Sequence, residues 1–328
     1  MSASSKIEWT GLTWNPLTGC TPVSPGCEHC YAKAFFERFH GPGSFASVEY
    51  HEDRLLMPFS WREPKLVFVN SMSDLFHPDV PDEVIAEVFA VMLLARRHTF
   101  QVLTKHHGRM RSKLNDPEFR HAVRIEACTL TTLDGVPDEH DDAWPLPNLW
   151  LGVSTENQRW ADIRIPALLQ TPAAVRWISA EPLLGPINLA DQRLLVGPCG
   201  SGSGSCSDNS CRSHLDWVVV GGESGPQARP MHPEWARLLR DQCVDAGIPY
   251  FLKQWGSWAT REQAPGMPYR DPWRSRAVKW IDQAGSTHPF GDFAGDQSWC
   301  LVERASKYVT GRELDGRTWD EMPVGAPC

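Results

Sequence analysis

Six short apolar runs, each closing near a polar residue and separated from the next by other segments, restrict this chain to a narrow set of folds. They are Leu66-Val-Phe-Val-Asn70, Phe100-Gln-Val-Leu-Thr104, Leu149-Trp-Leu-Gly-Val-Ser154, Val175-Arg-Trp-Ile-Ser-Ala-Glu181, Trp217-Val-Val-Val-Gly221 and Tyr250-Phe-Leu-Lys-Gln254. Near-continuous apolar strands of this length fit a parallel sheet covered on both faces. A further strand is predicted around Leu12-Thr-Trp-Asn15. Between the runs, residues 82–97 place Val84, Val88 and Met92 with Ile85, Phe89 and Leu93 on one broad helical face. A second helix is predicted over about Pro233–Ala246, with Pro233 suited to its first turn and Gly247 to its C-terminal cap. Such alternation builds βαβ units, closed as a barrel or left as an open sheet.

Polar and charged residues follow most of the strands: Asn70, Ser73 and Asp74; Lys105; Ser154 and Glu156; Glu181; Glu223; and Gln254. In a parallel barrel these positions are the C-terminal strand ends, where active sites are assembled. Charged residues also mark ordinary loop starts, but six strands ending alike point to the mouth of a site. Lys105, His106, His107, Arg109, Arg111 and Lys113 form a basic stretch that either contacts phosphates beside that mouth or solvates the start of a helix.

Two regions break the pattern. Residues 134–147 are acidic and carry prolines, as a surface loop does. Residues 197–214 are rich in Gly and Ser but include Cys199, Cys206, Cys211 and His214, which either hold zinc or a second cluster or belong to an ordinary insertion. Beyond about residue 261 the alternation stops. The expected organisation is a barrel over 1–260 interrupted by the 197–214 insertion, with a C-terminal extension over 261–328 packed on it.

The net charge of −8 excludes a protein that coats nucleic acid by bulk electrostatics, though it leaves room for a local basic groove. The N-terminus lacks the apolar core of a signal peptide, and no long uncharged apolar run could cross a membrane, so the expected location is the cytoplasm. Ten cysteines in so long a chain are not a disulfide framework and need individual readings. Fifteen tryptophans either line a cavity for flat ligands or pack helices onto the sheet, and packing is the reading adopted.

Three of the cysteines stand together: Cys20, Cys27 and Cys30 form a C-x6-C-x2-C cluster. Thiolates are soft ligands that select zinc or iron–sulfur clusters. Structural zinc needs a fourth ligand, for which His29 or a residue distant in the chain is a candidate. Three cysteines on one loop instead suit three corners of a cubane cluster, with one iron left open. The loop follows the first predicted strand and precedes a helix starting near Tyr31, which places it at the barrel mouth. No Walker-type phosphate loop, H-E-x-x-H zinc helix or G-x-S-x-G elbow is present.

Several segments together resemble a known family. They include Ile7-Glu-Trp-Thr10, Thr13-Trp-Asn-Pro16, Ser24-Pro-Gly-Cys27, Cys30-Tyr-Ala32, Ser71-Met-Ser-Asp-Leu-Phe76, Ser179-Ala-Glu-Pro-Leu183, Val220-Gly-Gly-Glu-Ser-Gly225 and Phe251-Leu-Lys-Gln-Trp-Gly256. The tail Gly311-Arg-Glu-Leu-Asp-Gly-Arg-Thr-Trp319 fits as well. Over nearly its whole length the chain is similar to a phage-associated family of unknown function that itself resembles radical SAM enzymes. The resemblance implies an α/β fold, a partial or irregular TIM-like (β/α) barrel of parallel strands. It implies a 4Fe-4S cluster on Cys20, Cys27 and Cys30, S-adenosylmethionine at the fourth iron, an electron donor, and a nucleic acid or nucleotide substrate. By placement, Asn70, Ser73 and Asp74 would meet the cofactor's amino group, and Ser154 and Glu156 its ribose or carboxylate. Glu181, Glu223 and Lys105 are the catalytic candidates facing substrate. Two departures from the superfamily are visible: the first gap holds six residues rather than three, and His29 stands where an aromatic residue is usual. Gly221-Gly222-Glu223 looks like the superfamily's amino-group motif but follows a late strand. The rival reading is a non-catalytic barrel that binds nucleic acid or a partner, stapled by a structural zinc or iron–sulfur site.

Overall fold

A computed structural model describes residues 5, 7–134, 136, 143–189, 214–267, 275, 277–290 and 298–324. Seven strands form one sheet: β1 (Leu12–Trp14), β2 (Leu66–Val69), β3 (Thr99–Thr104), β4 (Leu149–Ser154), β5 (Val175–Ala180), β6 (Trp217–Gly221) and β7 (Tyr250–Gln254). They lie in chain order and every neighbouring pair is parallel. β1 and β7 do not pair, so the sheet curls as a half-barrel, a partial TIM-like fold. The six strands expected from the apolar runs and the further one expected around Leu12–Asn15 are all present. The helices are α1 (Tyr31–His40), α2 (Asp82–Leu94), α3 (His107–Leu114), α4 (Pro117–Leu130), α5 (Gln158–Leu169) and α6 (Pro233–Ala246). α6 ends on Gly247 at φ 67°, a left-handed cap that glycine adopts without strain. The Asn157 and Asp116 side chains cap α5 and α4 by accepting from Trp160 N and Glu118 N.

The side-chain period of two divides the sheet into two faces. Val67, Val69, Phe100, Val102, Leu151, Val153, Ile178, Val218, Val220 and Leu252 point to the convex side, where α2 buries ten of its thirteen residues. The alternate positions build a separate aromatic core on the concave side: Phe68, Trp150, Trp177, Trp217, Val219 and Phe251, joined by Trp9. Trp9 meets Phe68 at 4.8 Å and Trp177 at 5.0 Å, both edge to face. Each such pair contributes about 0.5–1.5 kcal/mol beyond its area burial. Gly152 makes room for this plug, since a Cβ there would lie 2.5 Å from the Trp177 ring. Packing is thus the role of these tryptophans, but they fill the inside of the curl rather than seat helices on the sheet.

After β7 the alternation gives way to an antiparallel sheet of β8 (Trp258–Ala259), β9 (Val278–Asp282), β10 (Thr287–Pro289) and β11 (Trp299–Arg304), in the order β8-β11-β9-β10. The tail then returns to cover the free edge of β7. Leu252 N donates to Trp319 O at 2.9 Å, and Phe251 bridges antiparallel to Asp320. An edge left open would invite pairing with another chain. Arg237 and Arg240 of α6 fix this tail through the Asp315 carboxylate, both at 2.6 Å. No helix among the described residues is long and apolar enough to cross a membrane. Cys199, Cys206 and Cys211 lie outside the described residues, and His214 pairs with Asp216 at 3.1 Å.

Candidate functional site

Extending the concave face by two residues per step leads from the aromatic plug to a polar layer at the strand ends. The sequence runs from Phe68 to Asn70, Leu103 to Lys105, Trp150 through Gly152 to Ser154, Trp177 through Ser179 to Glu181, and Phe251 to Lys253. One cavity opens on this layer, floored by Trp9 and Phe68 and lined by Asn70, Lys105, Ser154, Ser179, Glu181 and Lys253. The period of two therefore selects its walls.

The cysteine loop forms the opposite wall, and Cys20, Cys27 and Cys30 all line the cavity as free, half-buried thiols. The loop leaves β1 through Gly19, whose φ of +91° and 1.9 Å separation of a built Cβ from Ser47 O admit only glycine. Cys20 N then donates to Phe45 O at 2.8 Å. Cys27 closes a short turn over Pro25–Cys27, and Cys30 directly precedes α1. Burial pushes the Cys20 thiol up to about 12; Asp74, Cys27 and Cys30 add to this and Lys105 opposes it. A cation bound to the Cys20 thiolate would offset that penalty.

Two strand-end carboxylates brace this loop. Glu156 is fully buried and does not line the cavity. One of its oxygens accepts from Ser24 Oγ at 2.5 Å and the other from Arg164 at 2.9 Å, Arg164 being fully buried as well. Gly26 packs against the same side chain, where a Cβ would come within 2.6 Å. Glu156 thus reaches the loop rather than a cofactor. Glu223 does line the cavity, yet it holds Arg229 at 2.7 Å, and Arg229 in turn donates to Pro25 O at 2.9 Å and Glu28 at 2.8 Å. Burial lowers the Arg229 pKa, but its bonds to Glu223 outweigh this and the net shift is upward.

The other expected residues converge. Asp74 lines the cavity, and its carboxylate is saturated by Thr104 Oγ1 at 2.6 Å, Lys105 N at 2.9 Å and Phe76 N at 3.0 Å. Ser73 lines the cavity too, donating to Leu17 O at 3.1 Å. Lys105 Nζ donates to Ser154 Oγ at 3.1 Å. Glu181 takes both its oxygens to Lys253 Nζ, at 2.8 and 2.9 Å. Asn70 adopts φ 59°, a left-handed conformation that asparagine tolerates, and its buried Nδ2 has no hydrogen-bond partner among the described residues. The buried Nε1 of Trp9 and Nε2 of His106 are likewise unpartnered there. Burial lowers the His106 pKa, against the raising effect of Asp74. Orphaned donors around a cavity are the groups a ligand satisfies.

The basic stretch does not converge. Arg109 and Lys113 both pair with Asp82, at 2.6 and 2.5 Å, and Arg111 bonds Gln170 at 2.9 Å. These side chains staple α3 to its neighbours, and only Lys105 and His106 of the stretch reach the cavity. Lys253, Ser179 and Arg229 were missed in the sequence. The strand parity would have found the first two, being two residues beyond Phe251 and Trp177. No local pattern marks Arg229.

Three thiols on one wall are, in their chemistry, the donor set an iron–sulfur cluster takes. Among the described residues, no group of three or more His, Cys, Asp or Glu side chains is arranged to hold a metal ion as it stands. Ligation would therefore draw the thiols together.

The sequence matches, over residues 4–323, the model of a family described as "Protein of unknown function (DUF5131)", and the chain belongs to that family. No curated protein matches it. Among solved structures, it is similar to spore photoproduct lyase complexed with dinucleoside spore photoproduct and to a mutant of that lyase with bound AdoMet and the same dinucleoside. Both show 12% identity and a TM-score of 0.37, covering 74% of this chain and 63% of the lyase. A further lyase mutant shows 11% identity and a TM-score of 0.41, over 77% of this chain and 78% of its own. The chain thus spans less than two thirds of the first two, and similarity this low places no constraint on chemistry.

Proposed function

We propose that this DUF5131 protein is an iron–sulfur enzyme of the radical SAM kind that modifies or repairs a nucleic acid or nucleotide. The observation that carries the reading is that three free thiols share one strand-end cavity with unpartnered donors of Asn70 and His106. In this reading Cys20, Cys27 and Cys30 hold a 4Fe-4S cluster. When bound, such a cluster supplies an electron for reductive cleavage of S-adenosylmethionine.

The chain's own residues supply binding and orientation. Glu156 and Glu223 hold the cysteine loop over the cavity from two sides. Asn70 offers its free amide to the cofactor's polar end, with Ser73 and Ser154 nearby. Asp74 orients the Lys105 backbone and Thr104, which leaves the Lys105 ammonium for an anionic group. Glu181 and Lys253 form a paired acid and base facing the substrate. The aromatic floor excludes water beneath them.

Anaerobic reconstitution with iron and sulfide, followed by chromatography for 5′-deoxyadenosine under a chemical reductant, tests the reading. Product that depends on the three cysteines supports it. Stoichiometric zinc with no iron uptake replaces it with the structural-site alternative.

A further inference from the structure

Glu181 and Lys253 are held as one unit. Both carboxylate oxygens of Glu181 accept from Lys253 Nζ, at 2.8 and 2.9 Å, and the Gln254 amide donates to one of them at 3.3 Å. Gly221 packs against the carboxylate, where a Cβ would come within 3.1 Å of it. The Glu181 and Lys253 side chains are 18% and 12% exposed, so the pair is reachable from the cavity while shielded from bulk water. By strand parity it stands above the aromatic plug, four residues beyond Trp177 and two beyond Phe251.

The charges lining the cavity cancel: three carboxylates, Asp74, Glu181 and Glu223, stand against three ammonium groups, Lys33, Lys105 and Lys253. The Glu181–Lys253 pair is itself neutral, so hydrogen-bond direction rather than net charge decides what it takes. It sets an acceptor beside a donor. A phosphate oxygen accepts, which suits Lys253 but leaves Glu181 facing another acceptor. An ammonium or guanidinium donates, which suits Glu181 but leaves Lys253 facing another donor. A neutral group with an N–H next to a C=O or a ring nitrogen satisfies both. Below the pair, the apolar floor of Trp9 and Phe68 suits a flat ring. The buried Nε1 of Trp9, unpartnered among the described residues, offers that ring one more donor. A flat, neutral ring with a donor beside an acceptor is the pairing edge of a nucleobase.

We propose that Glu181 and Lys253 read the pairing edge of a nucleobase lying on the aromatic floor, its N–H donating to Glu181 and its acceptor taking Lys253. In a duplex that edge is occupied, so the base enters unpaired or extruded. This deepens the substrate reading above and rests on it for a nucleotide substrate. The test does not need the cluster: the full chain, purified without metal, is titrated calorimetrically with uridine 5′-monophosphate, its N3-methyl derivative and ribose 5-phosphate. The methyl group removes the donor and keeps the phosphate, the sugar and both ring carbonyls. Wild type is expected to bind the methylated nucleotide about tenfold or more weaker, and ribose 5-phosphate no better than that. E181M/K253M removes both partners at similar volume and strands no charge, so it should keep the wild-type urea midpoint and bind the two nucleotides alike. E181Q, with a neutral acceptor, should cut the discrimination about threefold or more. Equal wild-type affinity for the two nucleotides would overturn the proposal, as would ribose 5-phosphate binding at the strength of uridine 5′-monophosphate. So would wild-type binding of none of the three, or discrimination that survives undiminished in E181Q or in E181M/K253M. Discrimination without iron uptake would retain the base-reading pair and remove the cluster chemistry; iron uptake without discrimination would do the reverse.

Discussion

Replacing Glu156 by Gln tests whether the cysteine loop is braced from within the core. Glu156 and Arg164 are both 0% exposed and 2.9 Å apart. Removing one partner of such a buried pair costs about 3–5 kcal/mol, because the remaining charge is left uncompensated. Arg164 keeps two supports, its bond to Ser154 O at 2.8 Å and its position 4.1 Å over the Trp160 ring. The amide also preserves the shape of the side chain. The lower end, about 3 kcal/mol, is therefore expected. With a urea slope of about 3 kcal/mol/M for a chain of this size, the unfolding midpoint falls by roughly 1 M at unchanged slope. The control is E223Q, whose partner Arg229 has a side chain 29% exposed and a second carboxylate in Glu28. Solvent screening limits that loss to about 1 kcal/mol. Equal midpoint shifts for E156Q and E223Q, or an E156Q shift under about 1 kcal/mol, would show that the brace carries no special weight.

Three further outcomes follow from named contacts. G152A places a methyl 2.5 Å from the Trp177 ring and should destabilise by about 1–3 kcal/mol, with altered near-ultraviolet dichroism; a wild-type spectrum and midpoint would contradict the aromatic plug. R229A frees Pro25 and Glu28 from Glu223, so Cys27 and Cys30 should react faster with a thiol reagent, and R229K should restore part of the protection; unchanged rates in R229A would mean that Arg229 does not hold the loop. His98 is fully buried beside Pro58 O, and burial lowers its pKa in the folded state. The unfolded chain therefore takes up a proton near pH 6.5 that the folded chain refuses, and stability falls as pH drops from about 7.5 to about 5.5. H98Q should flatten that slope in urea titrations, and equal wild-type stability at both pH values would contradict the assignment.

Much of this architecture was legible because a parallel strand buried on both faces writes itself as a continuous apolar run. Six of the seven strands follow from such runs, and α6 follows from its apolar face with Pro233 at its start and Gly247 at its end. The cysteine loop and most of the strand-end residues named from the sequence line one cavity. Three things were not legible. Continuous burial hides which face each residue takes, so Trp150, Trp177 and Trp217 read as helix packing although they fill the concave side. A carboxylate after a strand reads the same whether it faces a ligand or braces a loop, and Glu156 does the latter through Ser24, 132 positions away. The basic stretch after β3 reads equally as a phosphate contact or as a solvated helix start, and what decides is Asp82, on the preceding helix, which pairs with Arg109 and Lys113. In each case the deciding partner is distant in sequence.

The central claim is that Cys20, Cys27 and Cys30 ligate an iron–sulfur cluster with one open iron. Electron paramagnetic resonance of the anaerobically reconstituted, reduced protein, with iron counted in parallel, tests it most directly. A cluster signal that S-adenosylmethionine alters, and that disappears together with the iron in C27A, is the expected result. Iron content and signal unchanged in C27A, or a wild-type protein that takes up zinc and no iron, would contradict it.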